Sequence, residues 1–386
     1  MKRVAVLVSN DLVYDQRVRK TCATLRELGW EPTLVGRRMK RSDAGHIDRP
    51  YETVRLYLRA KRGAMFYAAL NARLALWLWR RRSQFDLIWV NDLDTLWAGL
   101  WGASFAKSSR NGTCPVCYDS HEWFTEAEGL VGRPKVRAIW SWIERRSIPR
   151  LASMMTVNAH IANAYNEQYG LKVRVLPNVP ELMPDAEPAS RDGLGWPVDA
   201  PVMILQGAFM DRDRGALDAV RALVELPDWH LALVGAGPEF DEAPALAQEL
   251  DVFSRLHQHP RMDYDRLRSC TRAADLGLSL DRPTADNFKF SSPNKLFDYV
   301  HAGLPVVVSD LPVAGAWVVD QKVGAVARSS APEDIARAVR QAHQRAQAQE
   351  ISSEHLKAVA QLHHWAAYRD EIAGLVADAV RQSTAS

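Results

Sequence analysis

The chain is 386 residues long, 47% hydrophobic and 25% charged, with a formal net charge of +3, which is enough for two domains that each bury a core. No uncharged apolar run reaches the roughly 18 residues of a membrane span, and four cysteines in a chain of this length exclude a disulfide framework and point to a reduced, cytoplasmic setting. The charge is lopsided: residues 1–180 hold 29 Lys and Arg against 16 Asp and Glu, while residues 181–386 hold 20 against 30, so the first half is the one expected to face something anionic.

The opening MKRVAVLVSN has too few apolar residues for a signal peptide and reads as a buried first strand. A helical pattern over 15–29 ends at Gly29, and apolar runs at 32–35, 86–90, 115–118, 153–157 and 173–176 alternate with helical segments. The segment 177–201, rich in Pro, Asp and Gly, reads as a linker. The second half repeats the alternation, with strands expected at 202–207, 230–235, 275–280 and 305–310. Helices are expected near 215–226, 262–273, 293–302 and 331–346, and an amphipathic helical segment over 352–381. Short, fully apolar strands alternating with helices predict parallel sheets covered on both faces. The fold class is therefore α/β: two Rossmann-like, doubly wound domains, 1–180 and 181–363, facing a cleft, with a C-terminal helix (364–386) crossing back to the first.

Ligands of such sheets bind beyond the carboxyl ends of the strands, and the polar motifs fall there. In KFSSPNKLFDYVHAGLPVVVSD (289–310), Ser292 is placed to cap a helix with Pro293 at its first position, and Gly303 closes it. Lys295 then lies in the first turn, where a cation is unfavourable unless an anion binds beside it. Asp298, one turn on, can accept hydrogen bonds from vicinal hydroxyls such as those of a ribose; a solvated lysine and a surface aspartate are the plainer alternative. In ILQGAFMDRDRGALDAVRAL (204–223), Gly207 lets backbone approach a ligand, and Arg212 and Arg214 offer forked donors for a diphosphate, although Arg212 equally fits a solvated loop. LVGAGPEF (233–240) lacks the third glycine and the acidic partner of a dinucleotide fingerprint, so Gly235 reads as part of a glycine turn lining the cleft.

In the first half, Asp15 and Arg17 follow the first strand and DSHEWFTE (119–126) follows another. Asp92 and Asp94 of NDLDTLW (91–97) also follow a strand, Asp94 being equally suited to cap the next helix. CPVC (114–117) has no partner pair nearby and reads as packing. The segments 62–82 and 133–150 combine tryptophan and arginine, the latter with six basic residues against one acid and with Val136, Ile139, Trp140 and Ile143 at helical spacing. Beyond partial packing, these segments suit contact with an anionic bilayer. No aromatic–basic module for nucleic acid is present.

Taken together, these residues resemble the retaining GT-B glycosyltransferases (glycosyltransferase family 4-like), a large family that builds cell-surface polysaccharides and glycolipids from nucleotide-sugars. The stretches that carry the resemblance are VYDQRVRKTCATLRELGWEPTLV (13–35), VCYDSHEWFTE (116–126), VLPNVPE (175–181), QGAFMDRDRG (206–215), LVGAGPE (233–239) and, most specific, SSPNKLFDYVHAGLPVVVSDLP (291–312). The family usually carries two glutamates separated by seven residues. Asp298 matches the second, used on the ribose, whereas the first falls at Phe290 and is absent.

The resemblance implies a donor site in the second domain, made by Gly207, Arg212, Gly235, Ser292, Pro293, Asn294, Leu296 and Asp298, with Arg214 and Lys295 stabilising the departing diphosphate. It implies a cleft histidine, His121, near the reacting sugar, and Asp15, Arg17, Asp92, Asp94 and Glu122 toward a glycan or lipid-linked acceptor in the first domain. It further implies retention of anomeric configuration with no metal or other cofactor, on the inner face of the cytoplasmic membrane, in cell-envelope polysaccharide synthesis. A nucleotide-sugar epimerase of the same fold and a non-catalytic nucleotide or sugar sensor are the competing readings.

Overall fold

The computed structural model describes all residues except 14, 40–48, 106–113, 185 and 386; Tyr14 and Asp185 of the segments above lie outside the described residues. The chain divides into two compact units, Met1–Asn178 with Tyr368–Ser386, and Val179–Ala367.

The first unit runs β1 (Lys2–Leu7), α1 (Gln16–Glu27), β2 (Trp30–Arg37), β3 (Glu52–Leu56), α2 (Gly63–Arg80), β4 (Leu87–Asn91), α3 (Leu93–Phe105), β5 (Val116–Ser120), α4 (Pro134–Ser147), β6 (Ser153–Thr156), α5 (Ala159–Tyr169) and β7 (Arg174–Val175). Its seven strands are all parallel, in the order β3-β2-β1-β4-β5-β6-β7. The centre of the sheet is buried on both faces, with Val4, Ala5, Val6, Leu7, Trp89 and Val90 all at 0% exposure, which is why these strands read as continuous apolar runs.

The second unit runs β8 (Val202–Gly207), α6 (Ala216–Ala222), β9 (His230–Gly235), α7 (Pro238–Glu249), β10 (Leu256–Pro260), α8 (Tyr264–Arg272), β11 (Leu276–Ser279), α9 (Asp286–Lys289), α10 (Asn294–His301), β12 (Val306–Ser309), α11 (Ala314–Gln321), β13 (Gly324–Ala327), α12 (Pro332–Gln347) and α13 (Ser353–Leu362). Its parallel sheet is ordered β10-β9-β8-β11-β12-β13. In both sheets the strand order reverses in the middle, at β1/β4 and at β8/β11, which is where such sheets open a crevice for ligands.

The expected C-terminal helical segment is broken by a 3-10 turn, Trp365–Tyr368. Beyond it, α14 (Arg369–Ala385) returns to the first unit. It buries Ile372, Leu375 and Ala379 at helical spacing, and Arg174 of β7 clamps it through Glu371 (3.0 Å) and Asp378 (2.8 Å). Among the described residues, no helix is long and apolar enough to cross a membrane.

Candidate active site

The strongest cluster of the second unit forms at the start of α10. Pro293, not Ser292, occupies the N-cap position, with extended backbone, and the helix begins at Asn294; proline's fixed φ suits that entry. Lys295 is thus the second helical residue, but it does not extend into solvent: it is 9% exposed, and its ammonium donates to Asp281 Oδ1 at 3.0 Å. The Arg214 guanidinium reaches the same oxygen at 3.4 Å while lying 4.5 Å over the Phe288 ring. Asp281, two residues past β11, is 1% exposed, and its second oxygen is buried without a hydrogen-bond partner. Two cations therefore converge on a single carboxylate oxygen at a helix N-terminus, and Asp211 Oδ1 lies 3.9 Å from Arg214 Nε. Burial pushes the Lys295 pKa down, opposed by Asp281 and reinforced by Arg214.

Arg214 owes its place to Gly215, whose φ of +71° strains any other residue and where a Cβ would meet the Leu280 carbonyl oxygen at 2.4 Å. The free N–H groups at the start of α6 are not open to a ligand. Ala216 and Leu217 donate to Glu239 Oε2 at 2.8 and 3.2 Å, so the glutamate of LVGAGPEF serves as a distant cap. Gly235 is likewise a packing position: a Cβ there would sit 1.9 Å from the Gly207 carbonyl oxygen. Gly207 itself has room, its added Cβ meeting only Met210 at 3.7 Å. Ser292 is half-buried and Asn294 exposed beside the cluster, whereas Arg212 is exposed and takes no part in the Asp281 interaction. Leu296 corrects the expectation of a donor contact: it is 0% exposed in the core and its N–H donates to Pro293 O. Asp298, one turn beyond Lys295, accepts from Gln206 Nε2 and from the Tyr264 hydroxyl, both at 3.3 Å.

In the first unit, His121 sits just past β5. Its Nδ1 lies 3.3 Å from Asp92 Oδ2, and its Nε2 lies 3.1 Å from Asn91 Oδ1 and 3.4 Å from Asp119 Oδ2. Asn91 Nδ2 donates to Leu7 O, which fixes its oxygen as the acceptor facing His121. Both ring nitrogens thus face acceptors, the arrangement of an imidazolium. Burial disfavours the charge, but Asp92 and Asp119 outweigh it and lift the pKa to about 9. Asp119 is fully buried; burial raises its pKa, yet Arg17 and His121 hold the carboxyl well below the usual range.

Arg17 departs from its expected place as a ligand contact. It is 2% exposed, grips Asp119 through Nε (3.0 Å) and Nη2 (2.7 Å), and reaches Leu176 O with Nη1, so it supports this site from within by holding Asp119. Asp15 caps α1, accepting from Val18 N at 3.0 Å. Asp92 has φ +58°, a conformation that non-glycine residues hold under strain, and its Oδ1 accepts from the His121 backbone N–H at 2.9 Å. Asp94 lies inside the first turn of α3 rather than at its cap. It is buried, with Oδ1 unpartnered; burial first, then Asp92, raises its pKa to about 7, and half-buried Glu122 adds to the effect. Asn91, Asp281, Gln206 and Tyr264 had no signal of their own in the sequence.

The expected surface helices divide. α2 turns Phe66, Leu70, Leu74, Trp77 and Leu78 into the core, and Trp140 of α4 is also buried. Ile139 (60%) and Trp142 (46%) of α4 stay exposed, as do Trp97 and Trp101 (49% each) and Phe105 on one face of α3. Trp97 and Trp142 meet edge to face at 6.1 Å, which joins the two helices into one aromatic stripe.

Residues 14–179 match the glycosyl transferase 4-like domain, and residues 201–345 match glycosyl transferases group 1. No curated protein matches the sequence. Among solved structures, sucrose-phosphate synthase from Thermosynechococcus elongatus superposes with a TM-score of 0.76 at 17% identity, covering 100% of both chains. Anabaena HepE in complex with UDP-glucose gives 0.73 at 14%, over 98% of this chain and 100% of that one. WaaG, a glycosyltransferase of lipopolysaccharide biosynthesis, gives 0.68 at 15%, over 95% and 98%. At these identities the likeness is one of fold, and that fold is GT-B.

Proposed function

We propose that this chain, a glycosyl transferase 4-like domain followed by a glycosyl transferases group 1 domain, moves a sugar from a nucleotide-sugar to a glycan or lipid-linked acceptor with retention of configuration. The observation that carries the reading is the convergence of Lys295 and Arg214 on Asp281 Oδ1 at the opening of α10, with Asp298 one turn further on. In this reading the second unit holds the donor. The bond from the anomeric carbon to the β-phosphate oxygen breaks, and the oxygen carries away the electron pair. Arg214, Lys295 and the helix N-terminus meet the charge that develops there. The acceptor hydroxyl attacks from the face the diphosphate leaves, and its proton passes to the departing phosphate. HepE, whose solved complex contains UDP-glucose, supports a nucleotide-sugar as the donor class. WaaG, a lipopolysaccharide enzyme, supports envelope polysaccharide as the setting.

His121 enters as a fixed positive charge rather than a base, because both its nitrogens already face acceptors. Asp92, Asp94 and Glu122 offer acceptors for acceptor hydroxyls. Charge neutralisation is assigned to side chains rather than to a metal ion. Incubation with labelled UDP-, GDP- and ADP-sugars and a lipid extract tests this. Transfer is expected with one donor, with the product keeping the donor's anomeric configuration by NMR and the rate unchanged in excess EDTA. Absence of transfer or donor hydrolysis with every donor would overturn the assignment; an inverted product would overturn retention alone.

The aromatic stripe of α3 and α4, flanked by Arg145 and Arg146, suits a peripheral site on an anionic membrane surface, here the cytoplasmic face. The protein is expected to sediment with phosphatidylglycerol vesicles and not with phosphatidylcholine vesicles. Substituting Trp97, Ile139 and Trp142 together by serine is expected to weaken binding by at least about tenfold. Unchanged sedimentation of that variant would remove the stripe from the interface.

A further inference from the structure

We infer that Arg37, with Tyr67 beside it, forms a subsite for an oxyanion carried by the acceptor, a phosphate or a carboxylate, so that the acceptor is an acidic glycan or glycolipid and not a neutral one. The inference rests on the sugar-transfer reading above and names the acceptor class for it.

Arg37 is the last residue of β2, at the carboxyl end where parallel sheets take their ligands. Its backbone is fixed there. The Arg37 N–H donates to Asn10 O at 2.8 Å, and Gly36 packs so closely that a Cβ would lie 2.5 Å from the same oxygen. Arg37 is half-buried, with its guanidinium 4.4 Å over the Phe66 ring. Among the described residues no oxygen accepts from that guanidinium, and its Nε is shielded from solvent as well. Arg17 and Arg174 of the same unit, by contrast, each meet carboxylates. A ring face attracts the cation but gives its five N–H groups no acceptor, and a shielded donor without one is costly. An oxyanion removes that cost, because the fork of the guanidinium matches two of its oxygens.

Tyr67 supplies a further donor. It follows Phe66 in α2, and its ring is held edge to face by Phe66 at 5.0 Å and by Trp140 at 4.9 Å. Burial, then Asp94, pushes the phenol pKa up, with Arg37 opposing, so the hydroxyl keeps its proton. Among the described residues nothing accepts from that hydroxyl. Arg37 and Asp94 thus act on one phenol, which sets the subsite beside the acceptor-side carboxyls. The surrounding charge has one sign. The first turn of α2 carries neither a side-chain cap nor an acid, Arg59, Lys61 and Arg62 are exposed just ahead of it, and no Asp or Glu occurs from residue 53 to residue 85. A neutral hydroxyl gains little from such a field, whereas an anion gains from every part of it.

The test is calorimetric titration of the wild type, Arg37→Gln, Arg37→Lys and Lys295→Met with inorganic phosphate and with glucuronate. At least one anion is expected to bind the wild type and Lys295→Met alike. Arg37→Gln is expected to lose at least about tenfold in that affinity, and Arg37→Lys to recover part of it, since lysine returns the charge without the fork. Which anion binds tells phosphate from carboxylate. In transfer assays Arg37→Gln is expected to raise the acceptor KM about tenfold or more, with the donor KM and the kcat at saturating acceptor little changed. An Arg37→Gln variant that melts with the wild type and keeps its anion affinity would overturn the inference, as would a wild type that binds neither anion. Binding lost in Lys295→Met and kept in Arg37→Gln would move the anion to the donor cluster, overturning the inference while the sugar-transfer reading stands. Loss of phosphatidylglycerol vesicles by Arg37→Gln would make the anion a bilayer headgroup and overturn the acceptor assignment. Anion binding through Arg37 without transfer from any donor would overturn the sugar-transfer reading and leave the anion site standing.

Discussion

Replacing Asp281 by alanine is expected to destabilise the second unit by about 3–5 kcal/mol, a fall in melting temperature of roughly 10 °C for a unit of this size. The magnitude follows from burial. Asp281 and Lys295 are 1% and 9% exposed, so deleting the carboxylate leaves a buried ammonium without its hydrogen-bonded counter-ion and under the repulsion of Arg214. The folded-state pKa of Lys295 is already lowered by burial, and without Asp281 it falls further. The sign of the pH dependence is then determined. A lysine that holds its proton when unfolded and resists it when folded costs stability below the unfolded pKa, and the cost is relieved as pH rises. The Asp281→Ala variant should therefore regain part of its stability toward alkaline pH, where the wild type gains less.

Changing both partners, Asp281→Leu with Lys295→Met, is expected to restore most of the stability, since the two charges leave together; Arg214, a third exposed, can turn to water. Activity should separate from stability in the same set. Lys295→Met alone and the double variant are both expected to lose about 10²–10³-fold in kcat, the cost typical of removing one donor to a developing oxyanion. A Lys295→Met enzyme with wild-type kcat would mean that this helix N-terminus does not face the leaving group.

Much of the fold was legible because of how it is buried. β1, β4, β8 and β12 are central or covered on both faces, and their sequences are unbroken apolar runs. β3 (ETVRL), β10 (LHQHP) and β13 (GAVA) are edge strands. They escaped notice because an edge needs neither an apolar run nor strict alternation. α7 was hidden by Pro238 and Pro244, residues that usually mark the end of a helix rather than its body.

At the site, the residues that announced themselves sit in local grammar: Lys295 after a proline at a helix start, Gly215 before a helix, His121 after a strand. Their partners do not. Asp281 lies 14 residues from Lys295 and 67 from Arg214, and Asp119 lies 102 from Arg17. A lone aspartate at a strand end has no signature until the sheet brings the strand ends side by side. The same distance explains why Arg17 read as a ligand contact: its sequence neighbourhood is polar, and only the folded chain reveals that it faces Asp119 in the interior.

The stability of the first unit should fall as pH rises from about 6.5 to about 9, by up to about 3 kcal/mol, because of His121. Its folded pKa of about 9 exceeds the ordinary imidazole value. The stabilisation is therefore complete below the unfolded pKa and is lost as pH climbs through the folded one. Asp94 and Glu144, buried acids whose pKa values rise to about 7, act in an earlier window. They hold protons that the unfolded chain has released, so stability also declines from about pH 4 to 7 on their account. Denaturant midpoints followed by tryptophan fluorescence from pH 4 to 10 would resolve the two limbs. His121→Gln should flatten the alkaline limb, and Asp94→Asn with Glu144→Gln should flatten the lower one. Asp92→Asn, which removes the carboxylate that does most to raise the His121 pKa, should move the alkaline limb toward neutrality. The same group then sets the rate profile. A histidine acting as a base would give a rate that rises through pH 6.5, whereas an imidazolium held by Asp92 and Asp119 gives a rate flat through 6.5 and falling above about 9. A rising limb near 6.5 that vanishes in His121→Gln would return the histidine to the role of proton acceptor.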